Sequence, residues 1–168
     1  MVIRFATDGS SLANGTALQA GGWAYKSMDR DDINGYGGVV GATNNQMEIT
    51  AAIKALEGCI QLAQKGDTVE IYSDSAYLVD CFNDNWIGNW MKNGWLTIQN
   101  TPVKNREYWQ KIYNLLNILK LQDIEVKFVK VLGHSGNYDN EFVDKLAKKG
   151  AAEAMESGVN GSSYSTGV

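Results

Sequence analysis

The sequence has little cysteine, proline or histidine, and it has no long hydrophobic run. Its 168 residues include two cysteines, one proline and one histidine. Cys59 and Cys81 form no Cys-x-x-Cys pair, so we expect neither a disulfide framework nor a zinc site. No apolar run approaches the roughly 18 residues of a membrane-spanning helix, and the N-terminus lacks the layout of a signal peptide. We therefore expect a cytoplasmic protein with no membrane partner, whose chemistry comes from oxygen and nitrogen groups.

Positive charge is also scarce. The chain carries 15 Lys and Arg residues against 19 Asp and Glu residues, which gives a net charge of -4. This balance argues against a general nucleic-acid binder, because a bulk positive field is missing. A chain of this length with 44% hydrophobic residues forms one compact domain and hardly leaves room for two. Either local features overturn the charge argument, or the acidic excess has a purpose such as holding cations.

The hydrophobic pattern predicts an α/β domain with five strands and four helices. A period of two, bounded by turn residues, predicts strands at 2–7, 21–26, 36–41, 68–73 and 124–131. A period of 3.6 predicts helices that begin near Thr43 and at residues 75, 105 and 140, and residues 86–102 are predicted to be irregular. The last dozen residues are rich in Gly, Ser, Asn and Thr and have nothing to bury. We predict one domain over residues 1–156 and a disordered tail over residues 157–168.

The predicted topology brings several acidic residues to one edge of the sheet. The first three strands form an antiparallel meander, and helical crossovers then make the fourth and fifth strands parallel to the first. Strand one is predicted to stop at Asp8 and strand four at Asp74, while Glu48 lies early in the helix that leaves this edge. His134 and Asp144 follow the fifth strand. Open sheets bind ligands at such carboxyl ends.

Electrostatic magnitudes indicate what these acidic residues do. Neighbouring strands lie about 4.8 Å apart. Carboxylates about 4 Å apart repel by roughly 4 kcal/mol at an effective dielectric of 20. Either their pKa values rise, or divalent cations occupy the site, and oxygen ligands with open positions suit Mg²⁺. Two metal ions about 3.5 to 4 Å apart serve in-line displacement at phosphodiesters, so the pattern predicts metal-dependent phosphodiester hydrolysis.

Seven short segments carry a resemblance to a known family. They are TDGS (7–10), TNNQME (43–48), YSDS (72–75), NWMKNGW (89–95), PVKNR (102–106), GHSG (133–136) and NEFVD (140–144). Together they resemble ribonuclease H of type 1, the bacterial ribonuclease HI family, in family order and over nearly the whole chain from Val2 to about Ala154. The resemblance implies a ribonuclease H-like fold, with a five-stranded mixed sheet flanked by helices and the first strand between the second and the fourth.

The resemblance also implies an activity and its residues. The expected reaction is endonucleolytic hydrolysis of the RNA strand of an RNA/DNA hybrid by two Mg²⁺ ions, with Mn²⁺ as a substitute, leaving 5′-phosphate and 3′-hydroxyl ends. Asp8, Glu48, Asp74 and Asp144 match the four catalytic, metal-binding carboxylates of the family. His134 matches its mobile histidine, which assists proton transfer or product release.

Seven further residues match positions that contact the hybrid. Three asparagines match residues that face the minor groove, where 2′-hydroxyls and base edges are read. Two residues match a pocket for a DNA-strand phosphate at a helix N-terminus. Two aromatic residues resemble the channel for a DNA sugar. The minor-groove residues are Asn14, Asn44 and Asn45, the phosphate-pocket residues are Thr43 and Asn105, and the aromatic residues are Tyr77 and Trp86.

Each of these features also has an ordinary structural explanation. A strand followed by Asp-Gly-Ser is usually only a turn, and a Glu early in a helix is ordinarily a partner of the helix dipole. Taken together, four such explanations do not account for acidic residues that share one sheet edge. Two rivals to a hybrid-cleaving monomer stay open at this stage. One is a non-catalytic hybrid-binding module of the same fold, and the other is a DNA-directed nuclease of the ribonuclease H-like superfamily.

Overall fold

The computed structural model describes residues 1–13, 15–133 and 137–158, and the backbone of residues 161–165. Its strands are β1 (Val2–Leu12), β2 (Ala20–Ser27), β3 (Asn34–Val40), β4 (Thr68–Ser73), β5 (Glu125–Lys130) and β6 (Gly161–Ser165). Its helices are α1 (Asn44–Leu62), α2 (Ala76–Asn83), α3 (Trp86–Lys92), α4 (Arg106–Leu121) and α5 (Tyr138–Ser157). None of the helices in this part of the chain is long and apolar enough to cross a membrane.

The strands form one mixed sheet in the order β5-β4-β1-β2-β3-β6. β1 pairs with β2, and β2 with β3, in antiparallel ladders, as expected for a meander. β1 with β4, and β4 with β5, are parallel. The predicted five-stranded mixed sheet is therefore confirmed, with β1 between β2 and β4.

The sequence predicts that β1 stops at Asp8, but in the structure β1 continues to Leu12. The parallel ladder with β4 ends at the pair Ala6 and Tyr72. Beyond it, residues 8–12 stay paired with β2, from Asp8 opposite Ala24 to Leu12 opposite Ala20. The turn residues Asp8-Gly9-Ser10 thus lie in an antiparallel hairpin, and Asp8 still marks the point where β1 separates from β4.

The segment 86–102, predicted to be irregular, contains the short helix α3. Aromatic packing explains the difference, because the Trp90 ring lies 6.0 Å from the rings of Trp86, Trp95 and Trp109. A bridge between Leu96 and Pro102 closes the loop that follows. Helix α3 with this loop is called the handle below.

The last described residues also differ from the sequence-based expectation. Residues 161–165 were expected to be part of a disordered tail, but they form β6, which pairs antiparallel with residues 34–38 of β3. Their sequence, Gly-Ser-Ser-Tyr-Ser, carries no apolar alternation, so the strand depends on backbone pairing and gives no hydrophobic signal. The domain boundary at residue 156 stays a prediction.

The core lies on both faces of the sheet. On one face α1 and α4 cover large apolar side chains such as Phe5, Ile71 and Trp109. On the other face α5 packs on small residues. A Cβ atom added to Gly22 would lie 1.9 Å from the Ala147 carbonyl oxygen, so only glycine lets α5 lie directly on the strand backbone.

Candidate active site

Three carboxyl groups meet at the sheet edge where β1 and β4 separate. Oxygen atoms of Asp8, Glu48 and Asp74 all lie within 4.8 Å of one another. Asp8 and Glu48 are 5% and 3% exposed, whereas Asp74 is half-buried. The structure therefore brings together three of the four carboxylates that the sequence predicted to meet. We call these three residues the carboxylate group.

Each member is placed by a different element. Asp8 lies on β1, two residues beyond its last parallel pair with β4. Glu48 lies on α1, whose start is fixed by a capping box between Thr43 and Gln46, as the sequence predicted. Asp74 directly follows β4 and precedes Ser75, whose hydroxyl caps α2 by accepting from the Leu78 N–H at 3.1 Å.

The close approach of β1 to α1 depends on Gly9. A Cβ atom on this residue would lie 2.3 Å from the backbone nitrogen of Glu48. Because that space is free, the Gly9 N–H donates to Oε1 of Glu48 and, at 2.9 Å, to Oδ1 of Asp8. The Ser73 hydroxyl donates to the other Glu48 oxygen at 3.4 Å. Glu48 is thus oriented by two neutral donors.

The carboxylate group is electrostatically unfavourable as it stands. Burial raises the pKa of Asp8 to about 10, and the negative charge of Glu48 adds to the effect. Burial also raises the pKa of Glu48 to about 7, with a contribution from Asp74. Among the described residues, no lysine or arginine forms an ion pair with any of the three. At neutral pH the buried pair therefore retains a proton in the absence of another cation.

The fourth predicted carboxylate, Asp144, lies on α5 outside this close group but lines the same cleft. Its charge also contributes to the raised pKa of Asp8. The Lys148 ammonium lies 3.1 Å from its carboxylate, one helical turn further along α5. Asp144 therefore faces the carboxylate group while it is partly neutralised by its own helix.

The cleft has the donors that a hard divalent cation requires. It encloses about 430 Å³ and is open to solvent. It is lined by Asp8, Gly9, Ser10, Asn44, Asn45, Glu48, Asp74, Ser75, Ala76, Tyr77, Asp144 and Lys148. Several carboxylate oxygens without nitrogen or sulfur ligands fit Mg²⁺, which keeps waters and binds through a few carboxylates. The residues present thus fit a metal site, and metal binding there would release protons.

The residues predicted to hold a DNA-strand phosphate are linked by one side chain. Gln46 accepts from the Thr43 backbone N–H at 3.0 Å and donates to Oδ1 of Asn105 at 3.2 Å. Asn105 in turn donates to the Tyr77 hydroxyl at 3.2 Å. The Trp86 ring lies 6.4 Å from that of Tyr77. Four of the predicted substrate residues, Thr43, Tyr77, Trp86 and Asn105, therefore form one connected surface.

The other predicted substrate residues divide into two cases. Asn44 and Asn45 are exposed in the first turn of α1 and line the cleft beside the carboxylate group. Asn14 and His134 lie outside the described residues, so their predicted roles stay predictions.

Sequence reasoning missed three residues of the site. Lys148 is not among the predicted site residues, although its spacing of four from Asp144 indicates an ion pair on one side of a helix. Gly9 was taken as part of a turn, and its role in the approach of α1 has no local signal. Ser73 is the last residue of β4, and its contact with Glu48 depends on tertiary packing.

The chain matches a known family over most of its length. The family model described as RNase H matches residues 2–152. Among curated proteins, the Ribonuclease H of Chlorobaculum parvum is 41% identical over 145 residues, which is 84% of this chain and 90% of the relative. The Ribonuclease H of Orientia tsutsugamushi is 39% identical over 155 residues, covering 92% of this chain and 84% of the relative.

Solved structures share the fold at lower identity. LC9-RNase H1, described as a type 1 RNase H with the type 2 active-site motif, superimposes with a TM-score of 0.72 at 24% identity, covering 95% of this chain and 76% of that one. LC11-RNase H1, solved in complex with an RNA/DNA hybrid, gives a TM-score of 0.63 at 19% identity, covering 91% of this chain and 99% of that one. With the sequence relatives, these findings show that the chain belongs to the RNase H family.

Proposed function

We propose that this chain is an endoribonuclease that hydrolyses the RNA strand of RNA/DNA hybrids with the help of two bound Mg²⁺ ions. The observation that carries the proposal is the carboxylate group, in which three acidic residues meet in an open cleft and form no ion pair with a lysine or arginine of the described residues. Family membership supports the reaction, because the relatives over most of the chain are ribonucleases H. The products are a 5′-phosphate and a 3′-hydroxyl.

Each side chain of the cleft has a defined part in this reaction. Asp8, Glu48, Asp74 and Asp144 would hold the ions. When bound, two such ions activate the attacking water and stabilise the leaving 3′-oxygen. The proton kept between Asp8 and Glu48 leaves when the site is filled, so that both carboxylates bind as anions. The Gly9 N–H and the Ser73 hydroxyl orient Glu48 for that role.

The surface beside the carboxylate group supplies the contacts that select a hybrid. Asn44 and Asn45 reach the minor groove, where an A-like duplex displays its 2′-hydroxyls and base edges. The linked pair of Thr43 and Asn105 grips a phosphate of the DNA strand near the N-terminus of α1. We propose the same roles for Asn14 in the minor groove and for His134 in proton transfer or product release.

Raised pKa values favour an enzyme over a module that only binds hybrids. Binding a duplex does not require buried carboxylates that repel one another, and an unneeded group of this kind would cost stability. The Thr-Asn-Asn segment at the start of α1, together with the handle, favours a hybrid over duplex DNA as the substrate. Both rivals remain outcomes of the experiment below.

The experiment is a cleavage panel with labelled substrates. The purified protein is incubated with an RNA/DNA hybrid, duplex DNA and duplex RNA, each with Mg²⁺, with Mn²⁺ or with EDTA. We expect cleavage of the RNA strand of the hybrid only, and only with a metal ion present. Asp80→Asn, an exposed acid on α2, is the matched control and should cleave like the wild type. Binding without cleavage would support the module, and cleavage of duplex DNA would support the DNA-directed nuclease.

We further propose that the protein is a monomer located in the cytoplasm. Both cysteines are free and buried, and burial raises the pKa of the Cys59 and Cys81 thiols to about 12, so both are unreactive as thiolates. Size-exclusion chromatography with light scattering tests the monomer, for which the expected mass is 18.4 kDa.

A further inference from the structure

A second group of charges surrounds a buried lysine between β2 and the start of α5, where Asp139 is 18% exposed and Asp31 is 70% exposed. The Lys26 side chain is 1% exposed, and its ammonium lies 2.6 Å from Asp139 and 3.0 Å from Asp31. It also donates to the Ser27 carbonyl oxygen at 2.7 Å. The rings of Tyr138 and Phe142 lie 5.4 and 5.5 Å from the nitrogen. These contacts, called the Lys26 cluster below, leave the ammonium enclosed by partners.

The cluster connects three separate parts of the fold. Lys26 lies on an interior strand, opposite Ala6 of β1 and Asn34 of β3. Asp31 belongs to the connection between β2 and β3, and Asp139 to the first turn of α5. A single ammonium therefore fastens the beginning of α5 to the sheet and to the hairpin turn.

The remaining contact between α5 and the sheet is made mostly by small residues. Glycines lie on both sides of this contact. Added Cβ atoms on Gly38 and Gly150 would each come within 2.1 Å of a backbone carbonyl oxygen on the other side. Small residues allow close approach but provide few ridges that interlock. Directional contacts therefore contribute to the axial position of α5: the Tyr36 hydroxyl donates to Glu153 towards its C-terminal end, and Lys26 pairs with Asp139 at its N-terminal end.

Asp144 follows Asp139 by five residues on the same helix, which corresponds to about 7.5 Å along the axis. A shift or rotation at the start of α5 is therefore passed directly to Asp144. We infer that Lys26 is a positioning residue, which acts through the axial register of α5 to place Asp144 against the carboxylate group. This inference rests on the proposed function, in which Asp144 is a metal ligand.

A role in stability alone does not account well for the Lys26 cluster. Replacing a buried ion pair by an apolar side chain of similar volume is often neutral or stabilising. A methionine at position 26 would fill the same space between the rings of Tyr138 and Phe142. An ammonium with two carboxylate partners instead defines a direction and a distance, as a position-setting contact requires.

The test measures metal binding in four proteins: the wild type, Lys26→Met, Asp144→Asn and the double variant. Mn²⁺ is titrated into each protein by calorimetry, without substrate. We expect Lys26→Met to raise the apparent dissociation constant about tenfold, the size of effect seen when a group that orients a ligand is lost. In the Asp144→Asn background the same substitution should change nothing, because its target is gone. Arg4→Met is the control, since it removes an exposed ion pair with Asp29 that involves no residue of α5.

A second variant and a hydrogen-exchange measurement distinguish a loss of positioning from misfolding of Lys26→Met. Asp139→Asn breaks the same contact from the helix side and should weaken Mn²⁺ binding in the same direction. Hydrogen exchange at the first turn of α5 should become faster in both variants. If Lys26→Met and Asp139→Asn bind Mn²⁺ like the wild type while Asp144→Asn does not, the positioning role is wrong. The positioning role is also wrong if the two substitutions act independently. In that case the rise in the Mn²⁺ dissociation constant of the double variant would equal the product of the rises in the two single variants. If Asp144→Asn itself leaves binding unchanged, the proposed ligand set fails, and the positioning role fails with it.

Discussion

The carboxylate group and the Lys26 cluster are two charge groups built around buried residues of one sheet, and their charges are balanced in different ways. Asp8 and Lys26 lie on neighbouring strands, opposite Ala24 and Ala6 respectively. In the Lys26 cluster a cation is enclosed by two carboxylates and two ring faces. In the carboxylate group three acidic side chains share a cleft in which the described residues provide no paired cation. The first group is complete within the chain, whereas the second requires positive charge from solution.

This difference explains how an acidic protein can act on a polyanion. A net charge of -4 provides no bulk attraction for nucleic acid. Bound divalent ions would reverse the sign of the field at the cleft and leave the rest of the surface unchanged. Local charge at the site, and not the composition of the chain, then decides what binds.

The largest expected effect comes from making the same substitution in both groups. Asp8→Asn should reduce hybrid cleavage by about 10³-fold or more, because the ions it would help to hold supply several kcal/mol of transition-state stabilisation. The same change should stabilise the metal-free fold by roughly 1 kcal/mol, since asparagine is neutral and can be buried without taking up a proton. Asp139→Asn should instead destabilise the fold by about 1.5–3 kcal/mol, because it takes a charged partner from Lys26. Cleavage assays measure the first effect, and urea unfolding measures the changes in the free energy of unfolding. If Asp8→Asn and Asp139→Asn changed the free energy of unfolding in the same direction, the comparison of the two groups would be wrong.

A smaller effect is expected from Gly9→Ala. The added methyl group would force β1 away from α1 and displace Glu48, which should cost about 1–3 kcal/mol in the free energy of unfolding. Misplacing the carboxylate should also lower the cleavage rate about 10²-fold. Gly58→Ala on α1 meets no atom within 4 Å and should stabilise the fold by about 0.5–1 kcal/mol with normal cleavage. Similar behaviour of the two variants would contradict the role given to Gly9.

The last comparison is a pH dependence that separates the two groups. The folded pKa values of Asp8 and Glu48 are raised to about 10 and about 7, above their unfolded values. The folded protein therefore binds more protons than the unfolded chain above about pH 4, and its stability falls as the pH rises. Between pH 5 and 8 the metal-free protein should lose about 1.4 kcal/mol per pH unit for each proton of difference. Thermal unfolding should show this slope in the wild type and a smaller one in Asp8→Asn.

Adding Mg²⁺ at constant ionic strength should reverse that trend. Metal ions compete with protons for the same oxygens, so the increase in Tm caused by Mg²⁺ should become larger as the pH rises. The Lys26 cluster should not respond, because its charges are already paired. A Tm increase that is independent of pH would indicate that the ions bind elsewhere.

The sequence predicted the parts of the fold that depend on local periodicity. The bounds of β4 and the capping box of α1 agree with the structure, because apolar alternation and the Thr43–Gln46 pair are local signals. The continuation of β1 past Asp8, the helix α3 and the pairing of β6 were not predicted. Each of these depends on a partner that is distant in sequence: a hairpin strand, a cluster of indole rings or the open edge of β3.

The candidate site could be predicted to a similar extent. The meeting of Asp8, Glu48 and Asp74 followed from strand direction and crossovers, since carboxyl ends of parallel strands share an edge. The ion pair of Asp144 with Lys148 and the contact of Gly9 with α1 were missed. The contact of Gly9 depends on packing at ångström scale, which hydrophobic periodicity does not resolve, whereas the spacing of four between Asp144 and Lys148 is a local signal of an ion pair.

The most direct test of the central claim is a crystal structure of the wild-type protein soaked with Mn²⁺ at neutral pH. Anomalous scattering locates the ion independently of any assumption about the site. We predict a peak in the cleft, with oxygens of Asp8, Glu48 and Asp74 at distances of about 2.0–2.2 Å. A cleft without an anomalous peak, or a peak bound only by other residues, would contradict the account.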